Sequence, residues 1–405
     1  MLSNDTSFPR QLAILKYEIE LQFGMQINNA ADCDLLSESV YKRTSQIVSS
    51  QTFRRLFNLI KSKSLSSRAT ADILAAYCGY TNLEHLFFKQ LENESTPEDK
   101  SQEAEIYKAF FEVDVPPIAK GELNMVYEKA ISGILKKVYN DKALYDALMP
   151  LIAQNPTAHI YLFERFPYIS GFGRGFASGY ILYLKHKVDL EAQVFGNALL
   201  FLAAVLTNEQ APAKRYYDAI SIINLSGIRH PFAIARYLGS RLLYYHITRN
   251  EKCKLEMIDL IRERLNASSN VNRHGFHSFN IEFQLLIAEY LSLAGCFPLV
   301  IDILLPVYQQ KALISVDMDR GFWLMPIKVM LIRAFSYTNR RKEALAMVPL
   351  VGELYWLVDD YFSIQFLDAQ RRLVHEPAEM AAINGNLKRL ISKTRFSFFE
   401  PMLMQ

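Results

Sequence analysis

The chain has 405 residues, 50% of them apolar and 21% charged, which excludes a disordered chain and predicts two or three folded domains. Its formal net charge of +3 excludes a whole-surface polyelectrolyte, so any affinity for nucleic acid must come from a local patch. Its 16 glycines and 15 prolines fit long helices better than many turns.

Pro9 to Phe23 reads as a helix with Leu12, Leu15, Ile19 and Phe23 on one side, closed by Gly24. Asp32 to Lys42 is a second, with Cys33, Leu36 and Val40 inward. Ile47 and Val48 fall in the following turn and are expected to pin the next helix to the core. That helix starts at Ser49 or Ser50, either of which can cap it through its hydroxyl. Phe53, Leu56, Phe57 and Ile60 then lie at i, i+3, i+4 and i+7, a single apolar stripe. The opposite face carries Gln51, Arg54, Arg55 and Asn58. Arginine can bridge guanine O6 and N7, and asparagine or glutamine adenine N6 and N7, so these four are the candidate base-reading residues. No acidic residue occurs from Tyr41 to Ala71. Lys42, Arg43, Lys61, Lys63 and Arg68 in that window, with Ser50, are the candidate phosphate contacts. A further helix opens after Ser66 and Ser67, places Ile73, Leu74, Tyr77 and Cys78 on one side, and ends at Gly79. Thr81 and Glu84 fit a capping box for another helix bearing Leu83, Leu86 and Phe87.

This stretch resembles the helix-turn-helix core of phage-repressor-type (Cro/repressor-like) DNA-binding domains. The residues that carry the resemblance are Ser50, Thr52 and Arg55, then Lys61 to Ser64, then Ile73 to Gly79. It is also similar to the N-terminal segment of a group of uncharacterised bacterial proteins. There the matching residues are Ser49, Thr52, Arg55 and Phe57, then Leu74, Ala75, Tyr77, Gly79 and Tyr80. The bulky run Phe57 to Ile60 departs from the repressors, which often carry a glycine-containing turn there. The resemblance covers about 90 of 405 residues. It implies binding of double-stranded DNA as a homodimer on half-sites about one helical turn apart, with Asp32 to Lys42 lying across the backbone.

Residues 92–103, ENESTPEDKSQE, read as a polar linker between a helix-turn-helix domain at 1–91 and a helical-repeat domain at 104–405. Gly121 to Asn140, Lys142 to Gln154 and Ala158 to Tyr168 are the next helices. Strand signals are scarce throughout. Four later segments share one layout, a Leu/Ala/Tyr-rich helix, a tight turn and a second amphipathic helix. Their turns lie near Thr207-Asn208, Arg249-Asn250, Ala294-Gly295 and Thr338-Asn339, spaced 42, 45 and 44 residues apart. LSLAGCFPLVIDILLPVY and AFSYTNRRKEALAMVPLV are similar to tetratricopeptide-like hairpins, although the spacing is longer than that family's. The expected fold class is therefore all-α: an N-terminal helix-turn-helix bundle followed by a tetratricopeptide-like α-solenoid. The pairs Tyr216-Tyr217 and Tyr244-Tyr245 either fill the core between helices or line a groove for a peptide. The end FSFFEPMLMQ is too apolar for a free tail and is expected to cap the last open face, or to form a dimer or partner contact.

Nothing in the chain reads as catalytic. Gly171, Gly173, Gly175 and Gly179 superficially resemble a phosphate-binding loop, but no strand precedes them, and close approach of two helices explains them better. His274 and His277 with Glu282 lack a matching second pair for a metal and read as surface or capping residues. No GxSxG, HExxH or Walker A pattern is present. The chain is thus expected to be no enzyme and to need no metal or cofactor. Cys33, Cys78, Cys253 and Cys296 read as buried free thiols in a reducing compartment. MLSNDTSFPR has no signal-peptide core, and Phe195 to Leu206 is too short to cross a bilayer, so a cytoplasmic protein without a membrane partner is expected. The expected function is a DNA-binding transcriptional regulator of bacterial type. Its C-terminal repeats would dimerise it, sense a ligand or peptide, or recruit a protein partner. The alternative is a protein-interaction scaffold that does not bind DNA.

Overall fold

The computed structural model describes residues 7–23, 27–61, 67–86, 97–113, 125–165, 167–271, 277–309, 320–352 and 358–404. Among them all regular structure is helical and no strand occurs. The chain divides into two compact units, Met1–Lys100 and Ser101–Gln405. Each has its own apolar core. Among the described residues no helix is long and apolar enough to cross a membrane.

The first unit contains α1 (Ser7–Phe23), α2 (Ala30–Thr44), α3 (Ser50–Leu56) and α4 (Arg68–Tyr77), with a helical turn at 83–86. Leu15 and Ile19 of α1, Cys33, Leu36 and Val40 of α2, Phe53 of α3 and Leu74 of α4 meet in its core. α2 opens on a reciprocal capping box: Asp32 N donates to Asn29 Oδ1 at 3.0 Å and Asn29 N donates to Asp32 Oδ2 at 3.1 Å. Of the two residues expected to pin α3, only Val48 is buried, its carbonyl accepting from Ser37 Oγ at 2.6 Å; Ile47 is 82% exposed. α3 also stops earlier than its apolar spacing predicts. Asn58 takes the left-handed conformation (φ 60°), and Leu59 N donates to the Arg54 carbonyl at 2.8 Å, closing the helix. Phe57 is consequently half-buried and Ile60 lies exposed, not on a continuous stripe. Gly79 (φ 90°) ends α4 as expected. Asn82, not Thr81, caps the next turn, with His85 N donating to its Oδ1 at 2.8 Å. Gly24 and Phe87 lie outside the described residues.

Residues 97–103, expected within a linker, instead begin α5 (Pro97–Phe111), and the boundary between the units falls inside this helix. Proline at the first position and Glu98 and Asp99 in the first turn favour a helix start, which the absence of apolar residues concealed. Two helices follow, α6 (Met125–Asn140) and α7 (Lys142–Ile152), the latter capped by Asp141. The helix expected from Ala158 to Tyr168 is not regular. Pro156–Ala158 passes into a π-helix, His159–Glu164, and the chain then runs through two 3₁₀ segments, Ile169–Arg174 and Phe176–Ser178, into α8 (Gly179–His186).

Successive hairpins follow: α9 (Leu190–Leu206) with α10 (Gln210–Ser221), α11 (Pro231–Ile247) with α12 (Glu251–Val271), and α13 (His277–Leu293) with α14 (Phe297–Gln309). Then come α15 (Arg320–Tyr337) with α16 (Arg341–Met347), and α17 (Asp359–Leu373) with α18 (Pro377–Thr394). The first four turn at Asn208, Arg249, Gly295 and Asn339, all left-handed, with φ of 59°, 56°, 72° and 59°. After each comes the same closing bond: Glu209 N to Ala204 O at 2.7 Å, Asn250 N to Tyr245 O at 2.9 Å, Cys296 N to Leu291 O at 2.8 Å and Arg340 N to Phe335 O at 2.9 Å. One Schellman turn thus recurs where the sequence spacing put the turns. The leading helices α9, α11, α13, α15 and α17 pack on one another in series. α9 and α11 are buried almost all round, as inner helices must be.

The first and last hairpins are bridged by the glycine-rich segment. Ile169–Arg174 packs against α9, α17 and α18. Ser170 Oγ accepts from Tyr361 N at 3.4 Å. A Cβ on Gly173 would lie 2.1 Å from the Thr394 carbonyl, so only glycine permits the close approach expected there. The C-terminal turn Ser397–Met404 completes the closure, Ser397 Oγ donating to Thr207 O at 2.9 Å. Phe396 and Phe399 are fully buried, and Phe398, Met402 and Leu403 are half-buried, so this end is packed, not free.

Candidate nucleic-acid interface

The candidate residues sit on α2, α3 and the segments that follow α3. Ser49 caps α3, accepting from Thr52 N at 3.3 Å. Phe53 and Leu56 anchor the helix inward. Gln51 and Arg55 are therefore turned outward and exposed. Asn58 is exposed too, but as the left-handed residue beyond the helix end, not on its face. Arg54 points back to α2: its Nη2 donates to Asp34 Oδ1 at 3.2 Å and Oδ2 at 3.5 Å. The Ser50 hydroxyl donates to the same carboxylate. That hydroxyl, then the Arg54 guanidinium, hold the Asp34 carboxyl below the usual carboxylate range.

The window without acidic residues is not one-signed in space. Lys42 lies 3.9 Å from Glu38 one turn before it, Arg54 pairs with Asp34, and Arg68, at the start of α4, pairs with Glu84. All three carboxylates come from outside residues 41–71. Among the described residues, Arg43, Arg55 and Lys61 are exposed cations without an ion pair. The Arg43 guanidinium stands 5.9 Å from the Tyr77 ring, a cation–π contact that holds it at the end of α2. Lys63 lies outside the described residues.

Asp34 is the residue that the sequence reading missed. Its signal was present: Asp34 and Ser37 are three apart on α2, and Ser37 bonds the Val48 carbonyl just before α3, so both face the following turn.

The other candidate chemistry stays bland. The four cysteines are free; burial pushes the Cys78 thiol up to about 12 and the Cys33 thiol upward, which disfavours the reactive thiolate. Glu282 pairs with Arg165 at 3.6 Å. His274 and the His277 side chain lie outside the described residues, and among those described no group of metal ligands gathers. No family model matches the chain, and neither a curated protein nor a solved structure matches it.

Proposed function

We propose that the chain is a DNA-binding regulator of helix-turn-helix type whose second unit is a tetratricopeptide-like α-solenoid. It works in the cytoplasm as a homodimer on double-stranded DNA, and the solenoid senses a ligand or peptide or recruits a partner. The observation that carries this reading is α3 itself. Its Phe53 and Leu56 are buried, and Gln51 and Arg55 stand out into solvent, flanked in sequence by Arg43 and Lys61, exposed cations without an ion pair among the described residues. Gln51 and Arg55 read base edges, with Asn58 at the helix end. Arg54 joins them on leaving Asp34, and Lys42, Arg43, Ser50, Lys61, Lys63 and Arg68 hold phosphates.

Asp34 then acts as a brake, because Arg54 must break an exposed ion pair before it meets DNA. Such exposed pairs are weak, because solvent screens them. Asp34→Ala is therefore expected to tighten binding to mixed duplex DNA about two- to fivefold at low salt, read by fluorescence anisotropy. Unchanged or weaker binding by a folded Asp34→Ala protein would remove Arg54 from the interface.

The second reading, a scaffold that does not bind DNA, is favoured by the carboxylates already engaging Lys42, Arg54 and Arg68. Arg55→Ala separates the two. With DNA as the ligand, the loss of a base contact is expected to cost about 1–3 kcal/mol of affinity. A scaffold shows no duplex binding to lose.

A further inference from the structure

The five inner helices of the second unit converge on one cavity of about 70 Å³. Its floor is apolar and buried: Phe195 of α9, Leu285 of α13, Pro326 and Met330 of α15, and Phe362 of α17. The cavity is not sealed. Phe232 of α11, Leu286 of α13, Glu164 and Arg165 also line it but are only half-buried, so they form its rim. A water molecule needs about two to four polar partners to stay in such a space, and these floor side chains supply none.

A second, independent feature marks the rim. The π-helix His159–Glu164 ends there, Arg165 N donating to the Ile160 carbonyl at 2.9 Å. Single turns of π-helix are rare and occur frequently at functional sites.

The charged residues that line the cavity already have counter-charges. Glu164 pairs with Lys187 and accepts from the Tyr183 hydroxyl at 2.8 Å, Arg165 lies 3.6 Å from Glu282, and Arg236 lies 3.6 Å from Glu289. An ion of either sign would bring an uncompensated charge into an apolar space, which is strongly unfavourable. The occupant is therefore neutral, and its enclosed part carries no group that needs a hydrogen bond. Size sets the rest. A cavity of roughly 150 Å³ accepts benzene, about 25 Å³ for each carbon, so one of about 70 Å³ encloses about three. We propose that this cavity binds a small neutral aliphatic molecule, with about three carbons enclosed and its polar end at the rim. Such a ligand touches the inner helix of all five hairpins at once, which suits the sensing role proposed for the second unit. Its binding does not depend on the first unit meeting DNA, which a salt titration tests separately.

The test follows the methionine methyl resonances of the full chain by NMR. Met330, on the cavity floor, is the reporter, identified as the resonance missing from Met330→Leu. The probes are xenon and three molecules of one chain length, 1-propanol, propionate and propylammonium. Xenon and 1-propanol are expected to shift the Met330 methyl saturably, and the two ions to bind about tenfold more weakly or not at all. Leu286→Trp fills the cavity from a half-buried lining position and is expected to abolish both shifts while helix content stays that of the parent. The probes are compared on the parent chain, so that comparison decides even where the variant does not fold. A Met330 methyl indifferent to xenon and 1-propanol, ions that shift it as well as the alcohol does, or saturable binding that persists in a folded Leu286→Trp protein would each overturn the assignment.

Discussion

Asp368→Ala is expected to destabilise the second unit by about 3–5 kcal/mol, the cost of leaving buried cations without their counter-charge. Asp368 is fully buried on α17, and its Oδ2 accepts from Arg333 Nε of α15 at 3.1 Å and from the Tyr337 hydroxyl at 2.9 Å. Arg371 stands 3.6 Å from its other oxygen. Arg333 Nη1 continues the network to Ser292 Oγ on α13 at 3.1 Å and to Gln365 Oε1 at 3.3 Å. Three inner helices are thus held by one polar seam, and removing the Asp368 carboxylate leaves the buried Arg333 without the counter-charge it pairs with. Total stabilities of folded domains are about 5–15 kcal/mol, so this loss is a large fraction of what holds the unit together. Urea unfolding followed by circular dichroism is expected to show a lower midpoint at unchanged slope. A midpoint shift worth less than about 1 kcal/mol would mean that the arginines find other partners and that the seam does not lock the helices.

The C-terminal turn gives the other large effect. Phe399 is fully buried, its ring centroid 6.4 Å from that of Tyr361 and 5.2 Å from that of Phe398. The turn is tied down by Arg371, which donates to the Met402 carbonyl, and by the bond from Ser397 to Thr207. Phe399→Ala is expected to cost about 3–5 kcal/mol, the usual range for emptying a large buried aromatic site. It should also expose the final residues to carboxypeptidase under native conditions, a reading that a uniform loss of stability does not produce. A cost below about 1 kcal/mol with an intact, resistant end would show that the turn packs loosely and that the first and last hairpins stay joined without it.

The hairpins were legible because two local rules agree. Short turns of polar or small residues recur about every 44 residues, and each follows a helix rich in apolar residues. The end of α3 was not legible, because Phe57 and Ile60 keep helical spacing while the asparagine between them turns the chain. Apolar period alone cannot see a left-handed cap. The helix over 97–103 was hidden for the opposite reason: a polar segment beginning with proline and acidic residues starts a helix as readily as it forms a loop. In the candidate interface, the sequence named which cations are present but not which are engaged. Asp34, Glu38 and Glu84 lie outside the basic window and return to it only in three dimensions. The buried pair of Arg236 and Glu289, 3.6 Å apart, was hidden differently. Arg236 in FAIARYLG and Glu289 in LLIAEYLS are lone charges embedded in otherwise apolar inner helices. Each is a sign of a buried partner, but its identity depends on how α11 and α13 pack.

The central claim, that the exposed side of α3 meets a duplex, is tested most directly by a salt titration. The full chain is titrated against mixed-sequence duplex DNA from about 50 to 200 mM salt, and log K is plotted against log salt. The account predicts a steep linear fall, with a slope near −0.9 for each phosphate neutralised. Arg55→Ala is expected to bind about 5- to 150-fold more weakly to the preferred site, the equivalent of about 1–3 kcal/mol. Absence of binding at 50 mM salt, affinity indifferent to salt, or an Arg55→Ala protein that binds like its parent would contradict it.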